Sequence, residues 1–191
     1  MTESIRRIGL AKTVVDRGFS AVGPKLDPAD PQVRVLMLLS CRAVAVANAV
    51  MILARHNHAC EALPLLRSLL ELAAHARWVA QEDGARRARE FLAEQESPRW
   101  DGLWPESRLA RRGSTVGMPA ELGERVQGWC RAHMLGNASG LPWAHVFSGS
   151  EAPTVSSEEA LSAAAQLMAE VVKALDGRWP GDFPLEGLQE R

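Results

Sequence analysis

An all-α fold, a single-domain bundle of five or six helices interrupted by two long loops, is what this 191-residue sequence predicts. Three observations predict it. Apolar residues recur at helical spacing in several segments. Nowhere does a useful length alternate with the period of two that a half-buried strand requires. Helix start and stop signals also punctuate the chain: Asp30-Pro31, the pair Ser156 and Glu159, and Gly177.

Taken in order, Ile5, Ile8 and Val15 give a first helix over about Ser4 to Asp16. Gly18 to Pro31 reads as a loop, marked by Gly23-Pro24 and Asp27-Pro28. A nearly all-apolar second helix runs from Pro31 to Arg55, and His56-Asn57-His58 connects it to a third that ends near Asp83, with Pro64 early in it. A charged fourth helix covers about Ala85 to Glu96, and Ser97 to Pro119 is the longest irregular stretch. A fifth helix follows over Ala120 to Leu135, then a second loop, Gly136 to Thr154, with Trp143, His145 and Phe147. Ser156 and Glu159 form a capping box for a last helix in which Leu161, Ala164, Met168, Val171 and Leu175 share a stripe. Residues 1–177 form the bundle, and 178–191 are a Pro/Gly-rich C-terminal tail expected to be mobile.

Composition bounds the function. Apolar residues are 47% and charged residues 24%, with a formal net charge of −1, so no global field draws the chain to nucleic acid or to an anionic membrane. Cys41, Cys60 and Cys130 are an odd set, expected to be reduced thiols in a cytoplasm. Val35 to Ala54 is long enough to cross a bilayer, but Arg42 lies near its middle, and a buried core helix fits it better than a membrane span. Homo-oligomerisation stays open.

Arg42 is the most informative single residue. At about 100° per residue, Val35, Leu38, Val46, Ala49 and Leu53 fall within roughly 40° of it. The alternatives are a structural ion pair, a snorkelling head that reaches water, and an anion-binding group on a pocket floor, and the expectation is a buried guanidinium paired with a carboxylate. On the third helix Arg67, Glu71, His75, Trp78 and Glu82 lie within an arc of roughly 80°. That stripe is either the wet face of an amphipathic helix or one wall of a site. A tryptophan sits poorly on a wet face, and Arg42 needs an acid. Glu71 is the expected partner, with Glu71, His75 and His145 as an acid–base group and Arg42, Arg67, Trp78 and Trp143 as ligand contacts.

Other chemistry is less well supported. His56, His58, Cys60 and Glu61 are metal-capable, but spacing of two places side chains on opposite faces of a helix. Neither paired Glu-x-x-His nor His-Glu-x-x-His occurs, so no metal and no cofactor is expected. Ser148-Gly149-Ser150 lacks the Gly-x-Ser-x-Gly context of a hydrolase nucleophile. Arg86, Arg87, Arg89, Arg108, Arg111 and Arg112 read as an arginine-rich solvated surface.

The stretch Ala59 to Ala80, with Leu66-Arg67-Ser68-Leu69-Leu70-Glu71 at its core, resembles a bacterial all-helical family of unknown function marked by an Arg-Ser-Leu-x-Glu helix. Arg87-Ala88-Arg89-Glu90-Phe91 resembles the charged helix that follows in that family, and His145 fits its later loop histidine. The resemblance implies that Arg67, Glu71 and His145 are the marked positions. The family in turn resembles HEPN-type bundles, many of them RNA-cutting toxins. This chain departs from the HEPN arginine–histidine spacing: Arg67 to His75 is too long, and Arg55 to His58 and Arg131 to His133 are too short. Two functions follow as expectations. One is small-molecule binding or acid–base catalysis in a pocket between helices. The other is a HEPN-like RNA-binding or toxin–antitoxin and defence interaction module, with nucleic acid the less favoured partner.

Overall fold

A computed structural model describes residues 2–96, 106–133 and 155–188. Seven α-helices lie among them: α1 (Thr2–Val22), α2 (Pro31–Arg55), α3 (Leu63–Val79), α4 (Gly84–Gln95), α5 (Glu106–Thr115), α6 (Ala120–His133) and α7 (Ser157–Arg178). No strand occurs among the described residues. The class agrees with the sequence, and the count exceeds the expected five or six. The extra element is α5, inside the stretch read as irregular. Pro105 and Gly113 obscured it, although Gly113 is helical. The first helix also continues through Gly18 to Val22.

Local chemistry accounts for the helix ends. The Asp30 side chain accepts the Gln32 N–H at 2.8 Å, with Pro31 at the first helical position. At the other end of α2, Asn57 takes the left-handed conformation (φ 61°) and turns the chain away. The capping box of α7 is present, Ser156 Oγ accepting the Glu159 N–H at 3.1 Å while the Glu159 carboxylate accepts the Ser156 N–H at 2.8 Å.

α3 is the central helix, packed against α2, α4, α5, α6 and α7. Its Leu63, Leu66, Leu69 and Leu70 join Leu36, Val46 and Val50 of α2 and Leu161, Leu167, Met168 and Leu175 of α7 in one core. By length and mean hydropathy (2.1) α2 would also serve as a membrane span. Here its inner face packs on α3 and α7.

The segment after Arg178 was expected to be mobile, and its described residues, 179–188, are instead docked. Phe183 and Leu188 are fully buried: Phe183 sits against Phe19 and the bare backbone of Gly18 in α1, and Arg7 of α1 holds the Leu188 carbonyl.

Candidate functional site

Helices surround α3, so the stripe bearing Arg67, Glu71, His75 and Trp78 is not a wet face. Arg67 Nε donates to Glu71 Oε1 at 3.0 Å, and both side chains are largely buried. Burial raises the Glu71 pKa, opposed by the hydrogen bond and charge of Arg67. His75 is 2% exposed.

The expectation for Arg42 is overturned. It is exposed, and the Glu71 carboxylate is engaged by Arg67 instead. The reason lies in α2, which is apolar nearly all round. The stripe centred on Arg42 straddles a boundary, with Val35 and Val46 buried and Leu38 exposed. His145 and Trp143 lie outside the described residues, as do Trp100, Trp104 and Phe147.

The partner of His75 comes from α5. His75 Nδ1 lies 3.1 Å from Arg112 Nη1. A guanidinium can only donate, so the imidazole accepts through Nδ1 and is neutral. Burial, and then the Arg112 charge, push the His75 pKa down to about 3. Arg112 is itself buried, and its Nη2 donates to Glu94 Oε2 of α4 at 2.7 Å. The other Glu94 oxygen pairs with Arg108 at 3.2 Å. The Arg112 guanidinium lies 3.9 Å from the Trp78 ring centroid, and that of Arg87 lies 5.3 Å from it. A charged cavity of about 330 Å³ opens here, lined by Trp78, Glu90, Glu94, Arg108, Arg111, Arg112 and Thr115.

Sequence reading placed Arg112 on a solvated surface, whereas it is buried, and missed Glu94. A signal was present: Leu109, Arg112 and Val116 recur at i, i+3 and i+7, and all three are buried. Reading Ser97 to Pro119 as loop hid that face.

A larger cavity, about 590 Å³, lies between α3, α5 and α6. Leu70 and Ala74, the strip of α3 beside the Glu71–His75 stripe, form one wall. Leu109, Ala110, Arg111, Gly113 and Ser114 of α5 form the second, followed by Met118 and Pro119. Ala120, Gly123, Glu124 and Gln127 of α6 close it. Gln127 is 9% exposed, and its carboxamide makes no hydrogen bond among the described residues. Arg111 borders both cavities.

His58 and Glu61 approach to 3.7 Å on an exposed loop. Among the described residues no three metal-capable side chains gather in one place. No disulfide joins Cys41, Cys60 and Cys130, and the Cys130 thiol donates to the Leu63 carbonyl at 3.4 Å.

Residues 33–103 match the model of a family of unknown function, DUF5677. That span holds α2 from Val33 onward, α3 and α4, and with them Arg67, Glu71, His75, Trp78 and Glu94. α5, which lines both cavities, and α6, which lines the larger, lie beyond it. No curated protein and no solved structure matches the chain.

Proposed function

We propose that this chain binds an amphipathic small molecule in the cavity between α3, α5 and α6. Gln127 carries the reading. Its side chain lines the cavity and makes no hydrogen bond among the described residues, so its carboxamide can take a matching donor or acceptor from an occupant. The volume lies in the range of small-molecule sites, which pair apolar walls with a few placed polar groups. Leu70, Leu109 and Met118 suit an apolar body, while Arg111, Glu124 and Gln127 suit its polar end.

On this reading the His75–Arg112–Glu94 network positions rather than reacts. A neutral histidine with a pKa of about 3 is a poor proton carrier near pH 7. What it does is pin Arg112, and so α5, which supplies a whole wall of the cavity. Binding is therefore favoured over acid–base catalysis. It is also favoured over a HEPN-like RNA-binding or toxin–antitoxin role, because Arg86, Arg87, Arg108 and Arg112 are each paired with Asp83, Glu90 or Glu94. Three cysteines not joined by a disulfide fit a reducing bacterial cytoplasm.

Fluorescence titration with 1-anilinonaphthalene-8-sulfonate, an apolar ring system with an anionic head, tests the cavity. A Cβ on Gly123 meets nothing within 4 Å, so Gly123→Phe fills space without a backbone clash. Saturable binding by the wild type, weakened at least about tenfold by Gly123→Phe, is expected. Saturable binding that Gly123→Phe leaves unchanged refutes the assignment, as does no saturable binding at all.

A further inference from the structure

The outward face of α2 takes no part in either cavity. It exposes Leu38 (65%), Ile52 (58%) and Met37, with Cys41, Arg42 and Ala45 also exposed and Asn48 half-buried. Leu38, Cys41, Ala45, Asn48 and Ile52 follow one another at alternating steps of three and four residues. That is the seam spacing of helices that pack knobs into holes, so the surface it matches is another long helix. An exposed apolar row of this kind marks an interaction site.

The face also matches itself. When two copies run antiparallel about Ala45, Leu38 of one comes level with Ile52 of the other. Cys41 then meets the level of Ala49, and Ala45 meets Ala45, where small side chains let the backbones approach. A two-fold interface requires such self-complementarity. Parallel alignment instead sets Arg34, Arg42 and Arg55 each level with its own copy, and α2 contains no acid to offset them. The seam covers about 21 Å of helix at 1.5 Å per residue. One helix face of that length falls at the low end of interface sizes, so the association is weak and concentration-dependent.

We propose that this chain forms an antiparallel two-fold dimer through the outward face of α2. The antiparallel pairing still brings Arg34 of one copy near Arg55 of the other. Screening that repulsion means that added salt tightens the dimer.

Sedimentation velocity of the full chain up to ~200 µM, at low and high salt, should show a monomer–dimer equilibrium with a micromolar dissociation constant. Salt should strengthen it, and Ala45→Arg should weaken it at least about tenfold while leaving the helical circular dichroism intact. In a Cys41→Ser background, Ala45→Cys should oxidise to a disulfide-linked dimer, whereas Arg34→Cys should not. A chain that stays monomeric at both salts overturns the proposal, as does an Ala45→Arg variant that dimerises as tightly as wild type. Self-linking by Arg34→Cys in place of Ala45→Cys overturns the antiparallel arrangement. A monomer that floats with phosphatidylcholine vesicles assigns the face to lipid and also overturns it.

Discussion

His75 and Arg42 mark the two ways a polar residue in an apolar segment is accommodated. His75 is enclosed by α3, α4 and α5 and stays neutral by accepting from Arg112. Its folded pKa of about 3 lies below the unfolded value of 6.5. Between these values the unfolded chain takes up a proton that the folded chain does not. Stability therefore falls as pH drops below 6.5, by up to about 1.4 kcal/mol per pH unit, and is unaffected by this group above it. His75→Asn keeps an acceptor for Arg112 and removes the titration. Urea denaturation at pH 7 and pH 5 should show the variant losing about 2 kcal/mol less than wild type over that interval. Equal losses would mean that His75 is not held neutral. Arg42 behaves oppositely. Its head reaches water, so Arg42→Ala should change stability by less than about 0.5 kcal/mol in dilute solution. Sequence periodicity could not separate the two, because α2 is apolar on its wet side as well as its buried side, and only packing distinguishes them.

Helices whose ends are written in side-chain chemistry were legible, and those held by tertiary contacts were not. Asp30-Pro31 and the Ser156–Glu159 box mark α2 and α7 outright. α5 carries Arg108, Arg111 and Arg112 in its few turns and is stabilised by Glu94 and His75, which are distant in sequence. Arg77, on the side of α3 away from the Glu71–His75 stripe, ties the helix to its neighbours, with Nε 3.2 Å from Glu170 of α7 and Nη2 donating to the Val116 carbonyl at 2.7 Å. Glu170 is buried and also meets Lys173 at 2.5 Å. Removing one member of such a pair strands a charge and costs about 3–5 kcal/mol, somewhat less here because Lys173 remains. A double-mutant cycle of Arg77→Met and Glu170→Gln should give a coupling energy of at least about 1 kcal/mol by chemical denaturation. Strict additivity would show that the pair contributes nothing beyond its separate contacts.

At the scale of the whole molecule, the Pro/Gly-rich composition of residues 178–191 suggested a loose tail, and composition was a poor guide because the docking surface is formed by α1. Phe19 lies edge-on to Trp179 and Phe183 at centroid separations of 6.0 and 5.3 Å, and Trp179 and Phe183 are 5.7 Å apart. A Cβ at Gly18 would stand 2.3 Å from the Phe183 ring, so the glycine is the notch into which that ring fits. Buried Arg7 donates through Nε and Nη2 to the Leu188 carbonyl at 3.0 and 2.6 Å, fixing the segment a second time. Phe183→Ala should therefore cost about 3–5 kcal/mol, a large fraction of the stability of an ordinary domain. Gly18→Val should act on the same contact by expelling the ring. The two variants together should cost clearly less than the sum of their separate effects, since either one already empties the notch. Both should also speed proteolytic removal of the C-terminal segment under native conditions, because the opened state becomes more populated. If Phe183→Ala melts within about 0.5 kcal/mol of wild type, the segment only rests against α1, and the stability of the bundle must come from α2, α3 and α7 alone.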